Sequence, residues 1–191
     1  MDAGLWLALV SGVGIAAACG LRAFLPLLLV GLAARAGIVG LRGSVAWLGS
    51  DLALVALAVA TVVEVAGDKI PIVDHALDAI GTALRPAAAF LGAYAVLDGW
   101  PTPWAQIAAI VLGTTALGVH ALKAKLRIGS TATTLGTANP VLSVLEDVAT
   151  FVTVALAVLA PLLALVVVLG LILAVSRRRR HHAEQNAIVG P

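Results

Sequence analysis

Charge is what this chain has least of: 12 % of its 191 residues are Asp, Glu, Lys or Arg, whereas 61 % are hydrophobic, and mean hydropathy is +1.08. A soluble domain is about a quarter charged, so a water-soluble fold is excluded. Cysteine is reduced to Cys19, which excludes an internal disulfide and any metal site needing two thiolates. Signatures of covalent or zinc-dependent hydrolysis are missing as well, with no G-x-S-x-G and no H-E-x-x-H. The segment GSTATTLGT at 129–137 has neither the glycine register nor the following lysine of a phosphate loop. A basic n-region is also lacking, since Asp2 stands there and the apolar run continues far beyond a short h-region, so the N-terminal stretch reads as a retained first span. Ala16-Ala17-Ala18-Cys19-Gly20 lacks the preceding Leu and basic start of a lipoprotein box and reads as a small-residue helix-packing surface.

What is present is a series of apolar runs of helical length. The fold class expected is all-α: a polytopic helical membrane protein of about six spans, each needing about 20 residues, which uses up the chain. Residues 1–176 form one transmembrane domain, with halves 1–100 and 101–176, and residues 177–191 a basic cytoplasmic tail. One straight helix over residues 4–35 would be about 48 Å long, more than the roughly 30 Å hydrocarbon core, so it tilts or breaks. Gly20 and Pro26 bracket Arg22 and mark the break. The second span is expected over Leu52 to about Ala66. Residues 70–85 are too polar to cross; Val73, Leu77, Ile80 and Leu84 at helical spacing predict an amphipathic interfacial or re-entrant segment, followed by a short apolar run to Leu97. A tryptophan-containing turn at 98–104 precedes a span over 105–122. The Gly/Ser/Thr-rich stretch 129–140 reads as irregular, and the last two spans, 141–159 and 162–176, meet at Pro161.

The net charge of +2 says little, but its distribution does. Six spans with both termini in the cytoplasm place Lys69, Arg85, Lys123, Lys125, Arg127 and Arg177 to Arg180 inside, and Arg35 and Arg42 outside. This reads as topology and not as a nucleic-acid surface. Faint echoes between the halves, such as Gly20-Leu-Arg-Ala with Gly118-Val-His-Ala, fit a 3+3 inverted repeat.

An ionisable residue inside a span is costly and is by default a functional-site hypothesis. Arg22, Glu64, Asp68, His120, Lys123, Glu146 and Asp147 meet that description and converge on the inner half of the expected bundle, where they would bind substrate or ion. Ser143, Glu146, Thr150 and Thr153 recur at spacings of three and four on one face, suited to a proton or cation path or, in the plainer reading, to interhelical hydrogen bonds. Arg22 needs an acidic partner, and Glu64, Glu146 and Asp147 all qualify. Ser130, Thr131, Thr133 and Asn139 offer a gate or anion-binding loop. Asp74, His75 and Asp78 form the weakest set, metal ligands one helical turn apart or the solvated face of an amphipathic helix.

GLRAFLPLL at 20–28, Glu64 with Asp68-Lys-Ile-Pro71, Asp74-His75 with Asp78, Arg85-Pro86, Gly118-Val-His120 with Lys123, Ser130-Thr-Ala-Thr133, and Asn139-Pro140 with Glu146-Asp147 together resemble the bacterial membrane family known as domain of unknown function 4126. The resemblance runs over roughly residues 5–175. It implies a multi-pass protein of the bacterial cytoplasmic (inner) membrane and carries no mechanism.

The function expected is a small transporter or channel-like protein with a cytoplasm-facing polar cavity. It would move an ion, in a proton-coupled manner or otherwise, or a small anionic or lipid head-group substrate, with membrane lipids as partners and a homodimer as the expected assembly. No cofactor and no nucleic acid are expected. The alternatives are a metal-dependent membrane enzyme acting on a lipid head group and a non-transporting structural or assembly protein.

Overall fold

A computed structural model of the chain describes residues 3–69, 71–135, 137–159 and 170. The described secondary structure is entirely helical: α1 (Ala3–Leu21), α2 (Phe24–Arg35), a short 3-10 helix (Gly43–Gly49), α3 (Asp51–Gly67), α4 (Pro71–Val96), α5 (Thr102–Thr134) and α6 (Asn139–Leu159). Several starts follow from local chemistry. The Ser50 side chain accepts from the Ala53 amide at 3.3 Å at the head of α3, and prolines stand at or near the first position of α4, α5 and α6, where no amide is needed.

Four helices are long and apolar enough to cross a membrane, and a fifth span results if the 3-10 helix and α3, bent by 63°, count as one. The span expected over 162–176 and the tail 177–191 lie outside the described residues. Large apolar side chains on the outside, among them Leu52, Val59, Val62, Ile110, Val144 and Phe151, are what a lipid-facing surface requires.

The break falls where expected, between Leu21 and Phe24, but residues 4–35 are not one interrupted span. Pro26 has no amide to give the Arg22 carbonyl one turn earlier, which ends α1. The chain then reverses. At one end of the bundle the Leu5 carbonyl accepts from Trp100 Nε1 at 3.1 Å, and Arg42 donates to the carbonyls of Leu97 and Trp100 at 2.5 and 2.7 Å. The start of α1 and the segment after α2 are therefore tied to the same turn. At the opposite end Glu64, late in α3, meets the first amides of α2, whereas Arg35 at the far end of α2 pairs with Asp51, where α3 begins, back at the Trp100 end. Thus α1 and α2 form a helical hairpin. Arg22 sits at its tip, not midway along a crossing. The start of α1 and Arg35 therefore lie at the same end of the bundle, whereas the sequence reading set them on opposite faces.

Two further expectations change. Residues 71–85 form no separate element, because α4 runs unbroken through Pro86, and its residues 79–96 are long and apolar enough to cross a membrane. Val73, Ile80 and Leu84 face outward and Arg85 is buried, as suits a helix with lipid on one side and polar partners on the other. The stretch 129–140 is helical up to Thr134. Thr133 and Thr134 satisfy their hydroxyls on carbonyls of their own helix, at 3.0 Å to Gly129 and 2.7 Å to Ser130, and the helix gives way at Leu135, φ 53°.

α1 is the axis of the bundle and packs on α2, α4, α5 and α6. Small residues allow it. A Cβ on Gly20 would lie 2.6 Å from the Val119 Cβ and 2.7 Å from the Ala116 carbonyl oxygen of α5, so only glycine permits that approach. Alanines at 16, 18, 89, 93, 105, 109 and 116 fill the same core.

Candidate functional site

The charged residues gather at the end of the bundle opposite Trp100. Glu64, on the last turns of α3, accepts from the backbone amides of Ala23 at 2.8 Å and Phe24 at 3.1 Å. These amides are freed by the break, and a carboxylate there also meets the positive end of the α2 dipole. Glu64 thus acts as the cap that α2 lacks in its own sequence.

Arg22 is completely buried and points away from that cap. It pairs with Asp68 through Nη1, its Nε lies 2.7 Å from Asp147 Oδ1 but off the hydrogen-bond axis, and its Nη2 donates to Ser143 Oγ at 2.9 Å, with Glu146 at 3.9 Å. From α5 come Lys123, 3.1 Å from Glu146 and 3.6 Å from Asp68, and Arg127, 2.8 Å from Glu146 and 2.9 Å from Asp68. Each of the three cations therefore contacts both Asp68, on the α3 end, and Glu146, on α6. Asp68 Oδ2 receives all three, while its Oδ1 is buried without a hydrogen bond.

Exposure divides the acids. Asp68 is 1 % exposed, whereas Glu146 and Asp147 are 13 % and 22 % exposed and form the open rim of the cluster. Burial by itself pushes the Asp68 carboxyl up, but Lys123, Arg22 and Arg127 together outweigh it and hold it below the usual carboxylate range. Asp68 is the fixed anion of the group.

Two residues outside the sequence-based selection belong here. Arg127 is central, and its spacing was the available signal: His120, Lys123 and Arg127 recur at three and four on one helix face. Arg85, on α4, meets His120 through Nη1, and Thr82 Oγ1 lies 3.4 Å from His120 Nε2. His120 thus stands one turn before Lys123 on α5, facing Arg85 and Thr82 of α4.

The remaining candidates divide differently. Thr150 bonds its own helix at the Glu146 carbonyl, 2.7 Å away, so of the hydroxyl stripe only Ser143 serves Arg22. Ser130, Thr131 and Thr133 lie on the last turns of α5, where Asn139 Nδ2 donates to Thr131 Oγ1 at 3.0 Å and closes the reversal. The side chains of Asp74, His75 and Asp78 lie outside the described residues. Among the described residues no group of three or more His, Cys, Asp and Glu is placed to hold a metal ion.

A family described as Domain of unknown function (DUF4126) matches residues 9–180. The chain belongs to this family. The match takes in most of α1, all of α2 and every member of the ionic cluster, so the cluster lies within the DUF4126 domain itself. No curated protein and no solved structure matches the chain.

Proposed function

We propose that this DUF4126 protein is a small membrane transporter that moves an ion, or a solute coupled to one, by exchanging ion-pair partners in the Asp68–Glu146 cluster. The observation that carries the reading is the sharing of all three cations by two carboxylates on different helices. Removing one partner of a buried pair costs about 3–5 kcal/mol when the orphaned charge has no other partner. Here each cation has a second acid within reach, so pairing can shift without stranding a charge. Proton or cation uptake at Glu146, on the rim of the cluster, would release its three contacts towards Asp68, which stays ionised. Besides the Asn139–Thr131 bond at the reversal, α5 and α6 are joined chiefly through Glu146 and its partners, so that release would loosen the two helices beyond the reversal.

Proteoliposomes loaded with a pH-sensitive dye test this directly. Under an imposed pH gradient and with the membrane potential clamped, the protein should speed internal pH change over empty vesicles, and Glu146→Gln should remove most of the gain. Equal rates with and without protein, in this assay and in its counterpart with an imposed Na+ or K+ gradient and a matching dye, would overturn the reading.

Complete pairing of Arg22, Lys123 and Arg127 favours a second reading, a cluster that only cross-braces helices. The matched neutral variant Arg22→Gln/Asp68→Asn distinguishes the two. A brace predicts unchanged flux, and partner exchange predicts its loss in a protein that still elutes as a single folded species.

A further inference from the structure

All four tryptophans of the chain, on three separated stretches of sequence, meet at one end of the bundle. Trp6 lies on the first turn of α1, Trp47 on the 3-10 helix, and Trp100 and Trp104 on the turn into α5 and its first turn. Trp6, Trp47 and Trp104 are 53 %, 53 % and 63 % exposed, while Trp100 turns inward and ties the turn to α1. The 3-10 helix has the character of a flat-lying segment, with Val45 and Leu48 buried beneath and Trp47 turned out. Indole rings with one polar edge favour the head-group layer, where the ring meets lipid and the N–H meets water.

The opposite end has no tryptophan and carries Arg22, Lys69, Lys123, Lys125 and Arg127, whereas the tryptophan end has only Arg35 and Arg42 among the described residues. The two layers are a membrane apart. Trp6 to Arg22 along α1 is about 24 Å and Trp104 to Lys123 along α5 about 28 Å at 1.5 Å per residue, close to the roughly 30 Å of the hydrocarbon core.

We infer that the exposed tryptophans form a collar seated in the extracytoplasmic lipid head-group layer, and that the Lys123 end faces the cytoplasm. The beginning of α1 then lies outside the cell, at the same face as Arg35 and Arg42, because the hairpin brings it there. The ionic cluster stands at the cytoplasmic boundary of the hydrocarbon core, not at its centre. This orientation does not depend on what the cluster moves.

Single-cysteine labelling tests the orientation. In a Cys19→Ala background, Gly40→Cys and Asp98→Cys report on the tryptophan end, and Lys69→Cys and Lys125→Cys on the other. With a membrane-impermeant maleimide on intact expressing cells, the first pair should label at once and the second only after permeabilisation. Reversed accessibility, or labelling of both pairs from outside, would overturn the proposal. Brominated phospholipids test the collar: in vesicles, bromines near the head group should quench tryptophan fluorescence more strongly than bromines deep in the acyl chain. Stronger deep quenching would overturn it.

Discussion

At the scale of single residues, the cost of a charge in a bilayer made Arg22, Glu64, Glu146 and Asp147 conspicuous in the sequence, and the tertiary structure divides their tasks. Glu64 is occupied with two backbone amides. Glu64→Ala should therefore destabilise by about 1–3 kcal/mol, the cost of leaving buried donors unmet, and Glu64→Gln by less, since an amide oxygen can still accept one of the two bonds. Reversible unfolding in mixed micelles measures both. Asp68 leads to a pH prediction. A carboxyl whose folded-state pKa lies below its unfolded value contributes stability at pH above the unfolded value, and that contribution is lost as pH falls through the folded one. The thermal midpoint in detergent should hold between neutrality and about pH 4, the ordinary range for aspartate, and fall steeply below it. Asp68→Asn should lower the neutral midpoint and flatten the acid limb. Arg127 escaped the sequence reading because Lys and Arg near span ends serve first as topology signals; charge alone does not reveal that one of them turns inward.

Helices and their junctions carry the second set of consequences. Gly20 allows α1 to lie against α5, and Gly20→Ala places a methyl 2.6 Å from the Val119 Cβ. Overpacking of this kind costs about 1–3 kcal/mol, and because Arg22 follows two residues later, the substitution should also impair whatever the cluster does. The tie between α5 and α6 can be measured by a double-mutant cycle on Arg127→Gln and Glu146→Gln. A coupling within about 0.5–3 kcal/mol is expected, and additive effects would show that the pair holds nothing together. Helix existence was readable from hydropathy, and so was the break at Arg22. The continuity of α4 through Pro86 was not, because proline ends helices in water, whereas within a bundle neighbouring helices make up for the missing bond. Nor was the helical course of 129–134, where threonine and serine hydroxyls turn back on their own helix instead of opening a loop.

For the whole molecule, the second half of α1 is enclosed by α2, α4, α5 and α6, while α3 presents Leu52, Val55, Val59, Val62 and Val63 outward. Amide exchange in nanodiscs should be slowest in the middle of α1 and should not speed up there when α3 is loosened by substitutions on its outer face; uniform protection across the bundle would contradict this layered stability. What the sequence by itself determined is a helical, membrane-embedded chain with a break at residues 22–23 and with charges too costly to face lipid, since composition and apolar run length set these locally. The direction of α2, the sharing of three cations between Asp68 and Glu146, and the collection of the tryptophans at one end were decided only by tertiary structure. A kinked span and a hairpin have the same hydropathy pattern, and only contacts between residues far apart in the chain, such as Glu64 with the amides of Ala23 and Phe24, distinguish them.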